Sequence, residues 1–169
     1  MSRTLGMTSL THPSCKHCRL GSSTLLTFKQ LQMFVSRAQI EELCSELNTD
    51  HVMDQIKNSV IAIGFDANYQ FRGIVFGRIS KENAYIDVIC SKGCGACITY
   101  HFIELARHKY DIKKAYIVDP IHMDKLCTYV NWGFDKIDSN NSLEYTGTRH
   151  HFTVDTLPRH YKVNARHQK

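Results

Sequence analysis

The sequence predicts an α/β (α+β) domain built on one mixed, mostly antiparallel, twisted sheet with helices on both faces. Three observations carry that expectation. Residues 59–65 (SVIAIGF), 71–79 (FRGIVFGRI) and 84–90 (AYIDVIC) are successive β-type runs separated only by the polar turns 66–70 and 80–83, the pattern of a meander. The third run passes through Gly93-Cys94-Gly95 into a stretch with Ile98, Phe102, Leu105 and Ala106 on one helical face. A short apolar run, 115–119, follows, and a strand–helix–strand unit implies a parallel pair joined by a right-handed crossover.

The chain's 169 residues suit one domain with a real core, and 43% apolar and 22% charged residues are ordinary for a globular protein. No apolar run reaches the roughly 18 residues that span a bilayer, so no membrane partner is expected. The N-terminus lacks the apolar core of a signal peptide, which predicts an intracellular (cytoplasmic or nuclear) protein. Seven cysteines are an odd number, and several lie inside apolar patterns, so they are expected as reduced, mostly buried thiols. The net charge of +5 sits in the tails: residues 1–24 and 149–169 are basic, and the body between them is slightly acidic. A nucleic-acid partner is therefore expected only weakly, through the tails.

In chain order, residues 1–23 are polar, basic and aperiodic, and predict a flexible N-terminal arm. Within it, His12, Cys15 and Cys18 have zinc-like spacing, but no second cluster completes a four-ligand set, so no metal is predicted. Residues 24–35 fit a first strand or a short helix. Ser36 and Gln39 form a capping box that opens a helix to about Asn48, with Ile40, Leu43, Cys44 and Leu47 inward. Thr49 is the expected cap of a second short helix. After the three strands and the glycine turn come a helix, strand 115–119, a helix over 122–131 and strand 133–137. Residues 138–142 read as a loop, 149–157 as the last strand and 158–169 as a basic C-terminal tail, leaving 24–157 as the domain.

The glycine turn is the first candidate site. At a helix start, unsatisfied N–H groups and the positive end of the helix face an anion, and glycine lets the backbone approach it. Lys92 beside it offers a point charge, or is a solvated turn lysine. Asp87 is a carboxylate among apolar strand residues, either a base tuned by burial or an outward-facing strand residue. Cys94, at the helix start, is a conceivable thiolate nucleophile, although no neighbouring base is evident. Cys127 reads as core, and His122 as a helix-start surface residue.

Residues 85–106, YIDVICSKGCGACITYHFIELA, and 126–134, LCTYVNWGF, resemble the two signatures of the GCN5-related N-acetyltransferase (GNAT) superfamily. The first is that family's strand, [Gln/Arg]-x-x-Gly-x-[Gly/Ala] turn and helix; the second is Tyr-x-x-x-Gly-Phe. They stand in the family's order with one strand between them. The chain departs from the pattern where Cys90 replaces Gln or Arg, where only Ser91 and Lys92 separate Cys90 from the glycines, and where His122 replaces an Asn.

The resemblance implies a GNAT-like fold and transfer of acetyl from acetyl-CoA, as co-substrate, to a primary amine by direct attack in a ternary complex. The acceptor is a protein lysine, an N-terminus or a small-molecule amine. The resemblance also implies a pantetheine arm along residues 87–90, chiefly Val88, Ile89 and Cys90, with pyrophosphate over Lys92, Gly93, Cys94, Gly95 and Ala96. Tyr129 would protonate the departing thiolate, and Asp87 would serve as base. Two alternatives stay open: a catalytically inactive acyl-CoA-binding module, and a nucleic-acid binder acting through its tails.

Overall fold

The computed structural model describes residues 18–118, 125–136 and 142–147. The expectations for residues 1–17, for His122, for strand 149–157 and for the C-terminal tail lie outside these. The meander is present as β2 (Val60–Asp66), β3 (Phe71–Ser80) and β4 (Asn83–Ser91). Around it lie β1 (Cys18–Leu20), β5 (Lys114–Ile117), β6 (Phe134–Lys136) and β7 (Leu143–Tyr145), in the sheet order β1-β2-β3-β4-β5-β7-β6. Every described pairing is antiparallel except β4–β5, which is parallel.

Two elements differ from expectation. Residues 18–20 do not belong to a flexible arm: Cys18, Arg19 and Leu20 pair with Asp66, Phe65 and Gly64 of β2. Strand β7 was not expected: Leu143 and Tyr145 bury on one face while Glu144 opposes Tyr116 of β5, and the expected loop 138–142 lies outside the described residues but for Ser142.

The first three helices start where side chains satisfy their free N–H groups. Thr27 and Gln30 make a capping box for α1 (Phe28–Leu31), resolving the ambiguity of residues 24–35, and Ser36 and Gln39 make the expected one for α2 (Arg37–Leu43). Helix α3 (Thr49–Ile56) is capped by Asn48, whose side chain accepts from the His51 N–H, so the cap lies one residue before the expected Thr49. Two apolar layers flank the sheet. One joins Leu31, Ile40, Val52 and Ile56 of α1–α3 to Ile61, Ile74, Phe76, Val88 and Cys90. The other joins α4 (Gly95–Tyr110) and α5 (Leu126–Asn131) to Val75, Ala84, Ile86, Phe134 and Tyr145.

The expectation of reduced thiols does not hold. Cys18 is bonded to Cys94 and Cys44 to Cys90, and Cys97 is also disulfide-bonded. Pairing removes the thiol argument for a reducing compartment. It also removes Cys94 as a nucleophile and Cys18 as a zinc ligand; no metal-holding cluster occurs among the described residues. Cys127 is exposed and free rather than core. Among the described residues no helix is long and apolar enough to cross a membrane.

Helix α4 carries a fully enclosed histidine. His101 is 1% exposed, and its Nε2–H donates to the Ser22 carbonyl at 2.9 Å while Nδ1 has no partner. Burial lowers its pKa, opposed by the Ser22 hydrogen bond and the Glu104 charge. The unfolded chain therefore binds a proton that the native state resists, so stability is lost as pH falls below about 6.5. A urea midpoint measured from about pH 7 down to about pH 5 is expected to fall, and His101→Gln to flatten that slope. An unchanged slope would exclude His101 as its source.

Candidate functional site

The site begins with a mismatch of length. Strand β4 has nine residues, but β5 pairs only with its first four, from Asn83↔Lys114 to Ile86↔Ile117. One more bond, from the Val118 N–H to the Ile86 carbonyl at 2.9 Å, closes the fork. Beyond it no described strand covers the β5-side edge of residues 87–91. Along an uncovered edge, successive N–H and C=O groups are free to pair with an extended ligand.

A bulge sits at the fork. Gly77 opposes Ile86 and Phe76 opposes Val88, so Asp87 is the extra residue. The insertion reverses the side-chain alternation: Ala84 and Ile86 face the α4 layer, whereas Val88 and Cys90 face α1–α3. Asp87 is 9% exposed at its side chain and accepts two hydrogen bonds from Arg78, Nε at 2.9 Å and Nη2 at 3.0 Å. In turn, the carboxylate holds the Arg78 guanidinium even more firmly protonated than usual. The bidentate geometry locks the bulge. Arg78 escaped the sequence reading because pairing a residue nine positions away requires the register of the hairpin.

At the far end of β4 the backbone turns into α4. The Lys92 N–H still pairs with β3, donating to the Arg72 carbonyl at 2.8 Å. Gly93 follows with φ +95°, a conformation that glycine adopts without steric cost. Cys94 caps α4 without a side-chain hydrogen bond, its sulfur being held by Cys18. The first intrahelical bond among these runs from Ile98 N–H to the Cys94 carbonyl, so the N–H groups of Gly95, Ala96 and Cys97 have no acceptor within the helix. Ser91, Lys92 and Gly93 are exposed, whereas Cys94 through Cys97 are buried.

Gly95 has a second reason to be glycine. A Cβ there would lie 2.6 Å from Ser91 Oγ and 2.8 Å from the Trp132 ring, so the two signature segments pack directly on one another. Trp132 in turn holds Tyr129 edge-on, with ring centroids 5.2 Å apart, and Tyr129 is 9% exposed. Gly95→Ala is therefore expected to cost about 1–3 kcal/mol through overpacking against a ring that cannot swing aside. A chemical-denaturation midpoint equal to wild type would contradict that contact.

The fork, the bulge and Tyr129 share one cleft. Its walls are Ile86 through Ser91 of β4, Ile117 of β5 and Val118 after it, Lys125 before α5 and Tyr129 within it, and Leu43, Cys44, Glu46 and Leu47 at and after the end of α2. About 640 Å³ of space lies between these walls, a figure that includes open solvent. The structure thus gathers Asp87, Val88, Ile89, Cys90 and Tyr129 in one place. Lys92 lies outside, along a neighbouring groove with Arg72, Gln39 and Glu42. Leu43, Glu46 and Lys125 were missed as site residues, since only folding brings α2 over β4. Glu46 and Lys125 pair at 3.6 Å, both partly exposed.

Comparisons with known proteins bear on the fold. No protein-family model matches the chain, and no curated protein matches it by sequence. Solved structures do match. An IAA acetyltransferase from Bacillus cereus has a TM-score of 0.54 at 12% identity, over 72% of this chain and 79% of that one. A GNAT family acetyltransferase from Elizabethkingia anophelis with acetyl-CoA bound has a TM-score of 0.54 at 15% identity, over 72% and 78%. Tetrahymena GCN5 has 0.53 at 9% identity, over 72% and 91%. The chain has the fold of the GNAT acetyltransferases.

Proposed function

We propose that this GNAT-fold chain is an acetyl-CoA-dependent N-acetyltransferase acting on a primary amine. The observation that carries the reading is the uncovered edge of β4 lining one cleft with Tyr129, on the strand that runs through the Gly93 turn into the start of α4. The edge supplies alternating N–H and C=O groups of Val88, Ile89 and Cys90 to the amides of a pantetheine arm. The turn supplies the Lys92 charge, the open backbone at Gly93, and the backbone of Cys94 with the first-turn N–H groups of Gly95 and Ala96 to a pyrophosphate. Two of the three solved structures above are described as acetyltransferases, one of them with acetyl-CoA bound, and this supports the same assignment.

In this reading Tyr129 is the acid. Its phenol lies on the wall of the cleft that also holds Asp87, and protonating a departing thiolate needs a donor within reach of the fork. Asp87 receives the acceptor's proton, directly or through water. Arg78 occupies two of a carboxylate's roughly four lone-pair positions and leaves the others for an ammonium or a water. The acceptor is a primary amine, whether a lysine side chain, an N-terminus or a small amine; the cleft carboxylates Asp87 and Glu46 are each already ion-paired, with Arg78 and Lys125.

Acetyl-CoA is expected to raise the melting temperature, and a panel of primary amines to release CoA above background. Stabilisation without release by any amine would leave a binding module. Absence of both would remove the reading altogether.

A further inference from the structure

The proposed chemistry uses neither of the sulfurs that line the cleft. Cys44, at the C-terminal cap of α2, is bonded to Cys90 of β4, with Cα atoms 5.3 Å apart across 46 residues of sequence. Both residues line the cleft that also contains Tyr129, from the α1–α3 side, and both are largely buried. The other described disulfide, Cys18–Cys94, fastens β1 to the α4 cap, and neither of its residues lines the cleft.

Cys90 stands on the stretch of β4 whose edge is uncovered, three residues past Asp87, which is roughly 10 Å along an extended strand. A thiol-bearing arm lying along that edge passes Cys90 whenever it enters or withdraws. We infer that Cys44–Cys90 is a thiol-exchange site for the free thiol of CoA, an inference that rests on the reading of the cleft as a CoA site. The CoA thiolate attacks the Cys90 sulfur, forming a CoA–Cys90 disulfide. The Cys44–Cys90 bond breaks with its electron pair going to Cys44, which leaves as thiolate and takes a proton from water. One disulfide replaces another, so no oxidant is needed. Acetyl-CoA cannot react in this way because its sulfur is acylated. The modification therefore marks product, and it unties α2 from β4.

Confining the arm to the β4 edge makes its thiol meet the disulfide more often than a free thiol in solution does. The test uses the full chain purified without reductant and kept free of oxygen. It is incubated with CoA, with desulfo-CoA or with glutathione, then acid-quenched for intact mass and non-reducing peptide mapping. The expected result is a CoA adduct on Cys90 with a new thiol at Cys44, reversed by reductant. It should form at least about tenfold faster than a glutathione adduct at equal thiol concentration. Cys44→Ser, which leaves Cys90 without a disulfide to exchange, is expected to take up no CoA.

No adduct, adducts confined to other cysteines, equal rates for glutathione, uptake by Cys44→Ser, or free thiols at both residues in the starting protein would each overturn the inference. Desulfo-CoA separates the two readings. Thermal stabilisation by it without any CoA adduct refutes the exchange alone, whereas no stabilisation refutes the CoA site itself.

Discussion

Tyr129→Phe is expected to lower kcat for acetyl transfer by about 10²-fold, equivalent to about 2.7 kcal/mol of transition-state stabilisation, with little change in the affinity for acetyl-CoA. Tyr129 packs edge-on against Trp132, whose ring abuts Gly95 at the start of α4, and phenylalanine keeps every ring contact in that chain. Only the hydroxyl is lost, so the change isolates proton donation from packing. A fall in kcat and kcat/KM together would mark an interaction made only in the transition state, whereas a rise in KM alone would mark uniform binding. If kcat stays at the wild-type value, the tyrosine is a packing residue and the inactive-module alternative gains. Circular dichroism and a melting curve on the same preparation exclude misfolding as the cause of any loss.

Much of this architecture was legible because it is local. The meander appeared as three β-period runs, and all six of its strand ends hold to within a residue, since the alternation and the polar turns are both encoded in short windows. The Ser36–Gln39 box placed the start of α2 for the same reason. The two signature segments were legible as motifs, but the physical tie between them was not. Gly95 was read as a position where the backbone meets an anion, and its contact with Trp132 shows a second demand that no spacing rule reveals.

What stayed hidden is nonlocal. Arg78 reaches Asp87 only through the bulged register of β3 and β4, and Glu46 joins the cleft only when α2 lies over β4. The cysteines misled for a related reason. Each partner of Cys44–Cys90 sits at a buried position that suits a free thiol equally well, and pairing is decided by Cα distance rather than by pattern. Strand β1 was lost in a polar N-terminal composition because three residues against one neighbouring strand leave almost no periodic signal.

Those same cross-links set the second large effect: reduction of the native disulfides is expected to destabilise the domain by several kcal/mol. A cross-link restricts the unfolded chain in proportion to the logarithm of the loop it closes. Separations of 76 residues for Cys18–Cys94 and 46 for Cys44–Cys90 correspond to about 4 kcal/mol each in the chain-entropy description. The smaller loop lies inside the larger one, so the second bond restricts a chain already shortened by the first, and the joint effect is less than the sum. Even about 4 kcal/mol is a large share of the roughly 5–15 kcal/mol that holds a domain folded. At about 2–4 °C per kcal/mol for a chain of this size, the melting temperature in reductant should drop by about 10 °C or more. Thermal melts with and without reductant, with thiols counted in each sample, measure this directly. Fully reduced protein that melts at the oxidised temperature would show that packing, not cross-linking, holds β1 and α2 to the cleft. A drop that Cys18→Ser reproduces but Cys44→Ser does not would locate the stabilisation at the α4 cap. The Cys44–Cys90 bond would then be a weakly stabilising link, the kind that can be exchanged without unfolding the sheet beneath it.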